Sequence, residues 1–163
     1  MGISRMNHAV LYVRDAARSA AFYQDVLGFT TGVEFPGGAF LRAPESTNDH
    51  DIAFFSIGEN AGPSMAGKAT VGLYHLAWEV GTLAELVEVE QALRDAGALI
   101  GASDHTASKS LYAKDPDGLE FEVCWVVPLE LLGDVETPTS ARPLPLDLER
   151  EIERFGALTP GGR

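Results

Sequence analysis

Residues 6–13, MNHAVLYV, are strand-like, with β-branched and aromatic residues in rough alternation. The period then lengthens. Asp15 is placed to cap a helix over 16–27 whose apolar face carries Phe22, Val26 and Leu27, with Gly28 as its stop. Strand-like pieces follow at 30–35, 39–43 and 51–57, separated by Pro36-Gly37-Gly38 and by the polar run from Glu45 to His50. The series then restarts. Residues 73–80, LYHLAWEV, read as a strand, and Thr82 with Glu85 forms a capping box. The helix behind it is expected to reach 96, with Leu83, Leu86, Val87 and Leu93 inward and Gly97 as its stop. Strand-like pieces recur at 98–101, 109–114 and 119–127.

The order β-α-β-β-β therefore occurs twice, as a repeat of pattern rather than of residues. Half of such a chain is too small to bury a stable core alone. The expectation is an α+β protein with one domain over 1–128. Module one spans about 5–58, a Gly-rich linker about 59–72, and module two about 73–127. Beyond Pro128 the pattern breaks at Pro138, Pro143, Pro145 and Pro160, and only 146–155 reads as helical. This tail, 129–163, is expected to wrap the domain or meet a partner subunit, and no chemistry is assigned to it.

Composition narrows the function. Against 24 Asp and Glu stand 12 Lys and Arg, a formal net charge of −12. Nucleic acid and anionic membranes both call for a basic footprint, so neither is an expected partner. The single Cys124 excludes an intrachain disulfide and suits a reducing compartment. No apolar run approaches the ~20 residues of a membrane span. The first residues, MGISRM, lack a signal-peptide core. A cytoplasmic protein is expected.

Two of the four histidines, His8 and His75, hold the same place in the two copies, each read as lying inside an apolar strand. A buried imidazole there needs partners. In the last strand, GLEFEVCWV, Glu120, Glu122 and Cys124 share one face and Phe121, Val123 and Trp125 the other. A carboxylate amid that apolar run calls for a charge partner or a metal. Two imidazoles and one carboxylate make a facial triad that leaves open coordination positions and suits non-haem Fe(II). The same ligands also occur on catalytic zinc.

Three segments carry a resemblance. NHAVLYVRDAARSAAFYQDVLGF, YHLAWEV and SKSLYAKDPDGLEFEV resemble the vicinal oxygen chelate superfamily (glyoxalase, bleomycin resistance protein and dioxygenase). Within it they resemble the type I extradiol, catechol 2,3-dioxygenase-like enzymes. The resemblance covers about residues 5–127. It implies two βαβββ modules in a curved half-barrel sheet around a metal, with His8, His75 and Glu122 as ligands. Three further matches sharpen it. Tyr112 stands where these enzymes carry a tyrosine beside the substrate. His50-Asp51-Ile52-Ala53-Phe54 resembles the segment whose histidine faces oxygen. Asp104-His105 resembles the segment bearing a substrate-binding histidine. Leu119 departs from the Asn common after DPDG, the 50–75 segment is longer than usual, and the gap from His105 to Tyr112 is shorter.

The implied function is Fe(II)-dependent extradiol cleavage of a small aromatic diol with O2 by a homo-oligomer. His50, His105 and Tyr112 are the catalytic candidates, and Ile52 and Phe54 are expected to line an apolar pocket. Two alternatives stay open. One is a related lyase, epimerase, isomerase or thiol transferase using Mn, Zn, Ni or Co. The other is a metal-free small-molecule binding or resistance protein. Against a fourth metal ligand, the strand from Asp51 to Ile57 has no interior Glu.

Overall fold

The structure, a computed structural model, describes residues 2–132 and 143–162. Its chain order is β1 (Ala9–Val13), α1 (Ala16–Leu27), β2 (Thr30–Phe35), β3 (Gly38–Arg42), β4 (Ile52–Ser56), then β5 (His75–Glu79), α2 (Leu83–Asp95), β6 (Leu99–Asp104), β7 (Ser108–Lys114) and β8 (Glu120–Val126). The βαβββ order thus runs twice, as the periodicity requires. A 3-10 turn (Leu129–Leu131), β9 (Leu144–Pro145) and α3 (Leu148–Phe155) follow. The helix expected over 146–155 is α3; Pro138 lies outside the described residues. Among the described residues, no helix is long and apolar enough to cross a membrane.

The chain divides into two compact units, split between Ser64 and Met65 inside the Gly-rich stretch. Asp115–Gly118, the DPDG turn between β7 and β8, belongs to the first unit.

Unit one holds a four-stranded sheet ordered β1-β4-β3-β2, mixed because β1 runs parallel to β4. Asp15 caps α1 by accepting from Ala17 and Arg18 N–H, and Gly28 ends it at φ 71°, where a side chain would be strained. α1 buries Ala16, Ser19, Ala20 and Tyr23 against β3 and β4, where Leu41, Ile52 and Phe54 are fully buried. Its inward face therefore runs one residue off the expected Phe22–Val26–Leu27 set, which is half-buried. The reason is that small residues let the helix approach the sheet closely, and Tyr23 fills the remaining space against Phe29 and Phe54.

Unit two holds a five-stranded sheet ordered β5-β8-β7-β6-β9, with β5 parallel to β8. The Thr82–Glu85 capping box is formed in both directions. Leu83, Leu86 and Leu93 of α2 are buried, each stabilising by roughly 1.5–3 kcal/mol. Val87 is instead exposed, because it sits one residue past Leu86 and so turns off the buried stripe. β8 alternates as predicted: Phe121, Val123 and Trp125 are buried, while Glu120, Glu122 and Cys124 are half-exposed on the other face. The tail docks on this same unit. β9 pairs with Ser103 and Asp104 at the free edge of β6, and α3 packs on α2.

The repeat extends to an irregularity. Each sheet carries a register shift in the strand after its helix, between Thr31 and Val33 in one and between Leu99 and Gly101 in the other. Such a bulge re-aims the following side chains.

Candidate metal centre

The parallel pairing of β5 with β8 sets His75 opposite Glu120 and Ala77 opposite Glu122. Glu122 is therefore the diagonal neighbour of His75 on the same face. Its Oε2 lies 3.0 Å from His75 Nε2. Glu120 turns to Lys114 instead, at 3.4 Å. The two strands, joined by main-chain bonds, thus fix an imidazole nitrogen and a carboxylate oxygen face to face. His75 Nδ1 is buried and has no hydrogen-bond partner among the described residues. The imidazole Nε2 and the half-buried carboxylate oxygen facing it are a donor pair that fits a divalent cation, with Nδ1 then carrying the ring proton. Among the described residues, no group of three or more His, Cys, Asp or Glu forms a metal-sized cluster.

β7 adds the next pair. Tyr112 lies opposite Glu122 in the antiparallel register, and its ring is 5.9 Å from that of His75. Tyr112 Oη and His105 Nε2 share a hydrogen bond at 2.7 Å. Burial, and then the Glu122 charge, push the Tyr112 phenol above its ordinary pKa, so it stays an O–H donor at neutral pH. On β8, Cys124 is pushed up to about 12, by burial first and then by Glu122 and Glu79. It is a protonated, weakly reactive thiol.

In unit one the structure brings His8 and His50 together, with ring centroids 4.4 Å apart. His8 precedes β1 rather than lying inside it, and it is exposed. The expectation of a buried strand histidine is thus corrected: the ladder starts one residue later, where Ala9 N–H donates to Asp51 O. Asn7 Oδ1 accepts from His8 Nδ1–H at 2.7 Å, which leaves Nε2 with its lone pair free to coordinate. His50 Nδ1–H donates to the Asp49 carboxylate at 2.8 Å. Ile52 and Phe54 do not line a pocket near His50. Both are fully buried, and Phe54 packs on Tyr23 of α1. The apolar neighbour of His50 is Phe40 of β3, edge-on at 5.0 Å, backed by Phe55 at 5.9 Å from Phe40.

The six candidate residues thus fall into two sets, His8 with His50 in unit one, and His75, His105, Tyr112 and Glu122 in unit two. Two polar clusters were missed in the sequence. Asp117 of the DPDG turn accepts from Arg14 N–H and Nη1, each at 2.7 Å, and from Arg18 Nη2 at 2.8 Å. Lys109 is fully buried between Asp104 and Glu151. The signal for the second was present, since Lys109 shares strand parity with the inward Leu111 and Ala113.

Comparison with known proteins gives one family. The profile of the Glyoxalase/Bleomycin resistance protein/Dioxygenase superfamily matches residues 5–123. A biphenyl-2,3-diol 1,2-dioxygenase of Rhodococcus globerulus is 35% identical over 120 residues, which are 73% of this chain and 62% of that protein. A catechol-2,3-dioxygenase of Bacillus subtilis is 31% identical over 121 residues, 74% of this chain and 41% of that protein. The chain therefore spans less than two thirds of either relative. Among solved structures, a glyoxylase/bleomycin resistance protein/dioxygenase domain from Frankia superposes with a TM-score of 0.63 at 23% identity. The match covers 76% of this chain and 92% of that one, and at this identity it speaks for the fold alone.

Proposed function

Because the chain belongs to the glyoxalase/bleomycin resistance protein/dioxygenase superfamily, we propose that it is an extradiol dioxygenase cleaving a catecholic substrate with O2. The observation that carries this reading is the His75–Glu122 pair with the Tyr112–His105 hydrogen bond on the next strand. A metal ligand pair needs no tyrosine O–H beside it; a reaction that builds negative charge on a substrate oxygen does. The two dioxygenase relatives support the same choice within the superfamily.

In this reading His8, His75 and Glu122 hold the metal, as their motifs imply. Fe(II), when bound, supplies the redox centre that lets a catecholate pass electron density to O2. The chain's own residues do the rest. Tyr112, kept protonated, donates to the substrate-derived oxygen. His105, tied to Tyr112, orients the diol. His50, anchored through Nδ1 by Asp49, leaves Nε2 to hold or pass a proton on the oxygen side. Phe40, backed by Phe55, gives that imidazole an apolar side. Positioned acid–base groups of this kind contribute about 10²–10⁴ in rate.

The test is oxygen uptake by anaerobically purified, Fe(II)-loaded protein given catechol or biphenyl-2,3-diol. Stoichiometric uptake with a ring-opened product is expected, with none from zinc-loaded protein, since zinc has no redox chemistry. No uptake with iron, or equal uptake with zinc, would refute the reading and turn it toward a lyase or isomerase.

A further inference from the structure

We propose that the C-terminal segment Leu144–Phe155 braces His105 through a buried Glu151–Lys109–Asp104 relay, making these three positioning residues of the site. The proposal rests on the role given to His105 above. It concerns a segment beyond the region matched by the family profile, which ends at residue 123.

Lys109 points into the core of unit two with none of its surface exposed. Its ammonium is met by Glu151 Oε2 of α3 at 2.9 Å and by Asp104 Oδ1 of β6 at 2.5 Å. Glu151 is itself buried, its side chain 3% exposed. A buried ion pair is a poor way to gain stability, and its best-attested use is to specify one geometry. Here the geometry lies beside the site. The same Asp104 Oδ1 that takes the lysine also accepts Thr106 N–H at 2.7 Å. One carboxylate oxygen therefore ties α3, through Lys109, to the turn in which His105 sits.

That turn needs holding. Thr106 has φ 68°, a left-handed conformation that a β-branched residue rarely adopts, and it is the only non-glycine residue with positive φ among those described. Strained residues persist where their surroundings over-determine them. Three bonds do so here: Asp104 to Thr106 N–H, His105 N–H to Ser108 O at 2.9 Å, and Ala107 N–H to His105 O at 2.8 Å. The tail reaches the same place a second time, since Leu144 pairs with Asp104 and Pro145 with Ser103. Both tail contacts converge on Asp104, the residue before His105, and His105 is the partner of Tyr112.

The test is the full-length double variant Lys109→Met/Glu151→Leu, which replaces the Lys109–Glu151 pair by apolar volume, as buried ion pairs often tolerate, and leaves the part-exposed Asp104 to water and the Thr106 N–H. In the metal-free protein, amide exchange at Thr106 and the ring ¹⁵N signals of His105 report positioning directly. We expect Thr106 protection to fall at least tenfold and the His105 signals to move to those of a free imidazole, while Leu111 and Val123 amides stay protected. In the iron-loaded protein with catechol, kcat should fall by about 10–10², the usual cost of small misplacement, with KM within about twofold. Wild-type Thr106 protection and His105 signals in the folded double variant would overturn the proposal. If wild type itself cleaves no catechol, the functional reading fails, and the exchange and ¹⁵N readouts still decide the brace. Should the double variant not fold, Glu151→Gln keeps shape and an acceptor for Nζ. A smaller loss of Thr106 protection is then expected, and none would overturn the brace.

Discussion

Asp117→Ala should be among the most destabilising single changes at a turn in this protein. The carboxylate is only 7% exposed and accepts three charge-assisted or main-chain bonds, from Arg14 N–H, Arg14 Nη1 and Arg18 Nη2. A hydrogen bond to a charged group contributes about 1.5–3 kcal/mol. Two such bonds reach Arg14, whose side chain is 22% exposed, so most of that value is retained. The Arg18 side chain is 42% exposed, and its pair adds only about 0–1 kcal/mol after solvent screening. Removing the carboxylate should therefore cost about 3–5 kcal/mol, against a total stability of about 5–15 kcal/mol for a domain. Asp117→Asn, which still accepts from the Arg14 N–H, should cost about half as much. The pH dependence has a definite sign. Burial alone would raise the Asp117 pKa, but the bonds and charges of Arg14 and Arg18 outweigh it and hold the carboxyl below its ordinary range. A depressed folded pKa means stability that is fully present above the unfolded value of about 3.9 and is lost as pH falls through the folded pKa. The assay is urea denaturation of wild type and both variants from pH 7 down through that window. A loss under 1 kcal/mol for Asp117→Ala at pH 7, or a wild-type advantage over Asp117→Asn that persists below the window, would refute the reasoning.

Three further outcomes are expected. Glu122→Gln should lose most divalent-metal affinity by calorimetric titration while its apo melting point stays near wild type, and Glu120→Gln should retain the metal; the reverse pattern would reassign the ligand. Tyr112→Phe removes only a hydroxyl, so single-turnover ring cleavage should slow by about 10²–10⁴ at matched iron loading, whereas a merely packing tyrosine would leave the rate unchanged. Thr82→Ala opens the capping box of α2, frees the Glu85 N–H of the first helical turn and should cost about 1 kcal/mol by thermal melting, with Glu85→Ala costing no more, since the Thr82 N–H it frees precedes the helix.

The parts of this fold that are legible in the sequence are those written locally. Capping residues, glycine stops and strand parity are short-range signals, so α1, α2 and the face of β8 follow from residues within a few positions of one another. Long-range choices were not legible. The parity of Lys109 marks it as inward, but its partner Glu151 lies some forty positions away in a segment with no periodic tie to β7. That Asp117 is held at the corner between β1 and α1 depends on Arg14 and Arg18 in the other repeat. Ile52 and Phe54 have the right parity for a pocket beside His50, but parity does not say which sheet face the helix covers, and here α1 covers theirs. The DPDG motif did announce a turn; what it could not announce is that the turn's second carboxylate would be gripped from outside.

The two repeats differ at positions the proposed function uses. Ala77 pairs with Glu122 in one sheet as Val10 pairs with Ala53 in the other, two residues past His75 and His8 respectively. Glu122 pairs in turn with Tyr112, as Ala53 pairs with Phe40. Position for position, the second module carries Glu and Tyr where the first carries Ala and Phe. Each module keeps its histidine, but residue 53 is fully buried, so a carboxylate there would be costly unless the diagonal His8 paired with it. A symmetric repeat would supply two carboxylates. The asymmetric one supplies a single carboxylate with a phenol beside it. On the proposed function, a single acid in the paired βαβββ modules suits a metal centre with open positions, and Phe40 in place of a second tyrosine leaves an apolar edge against His50.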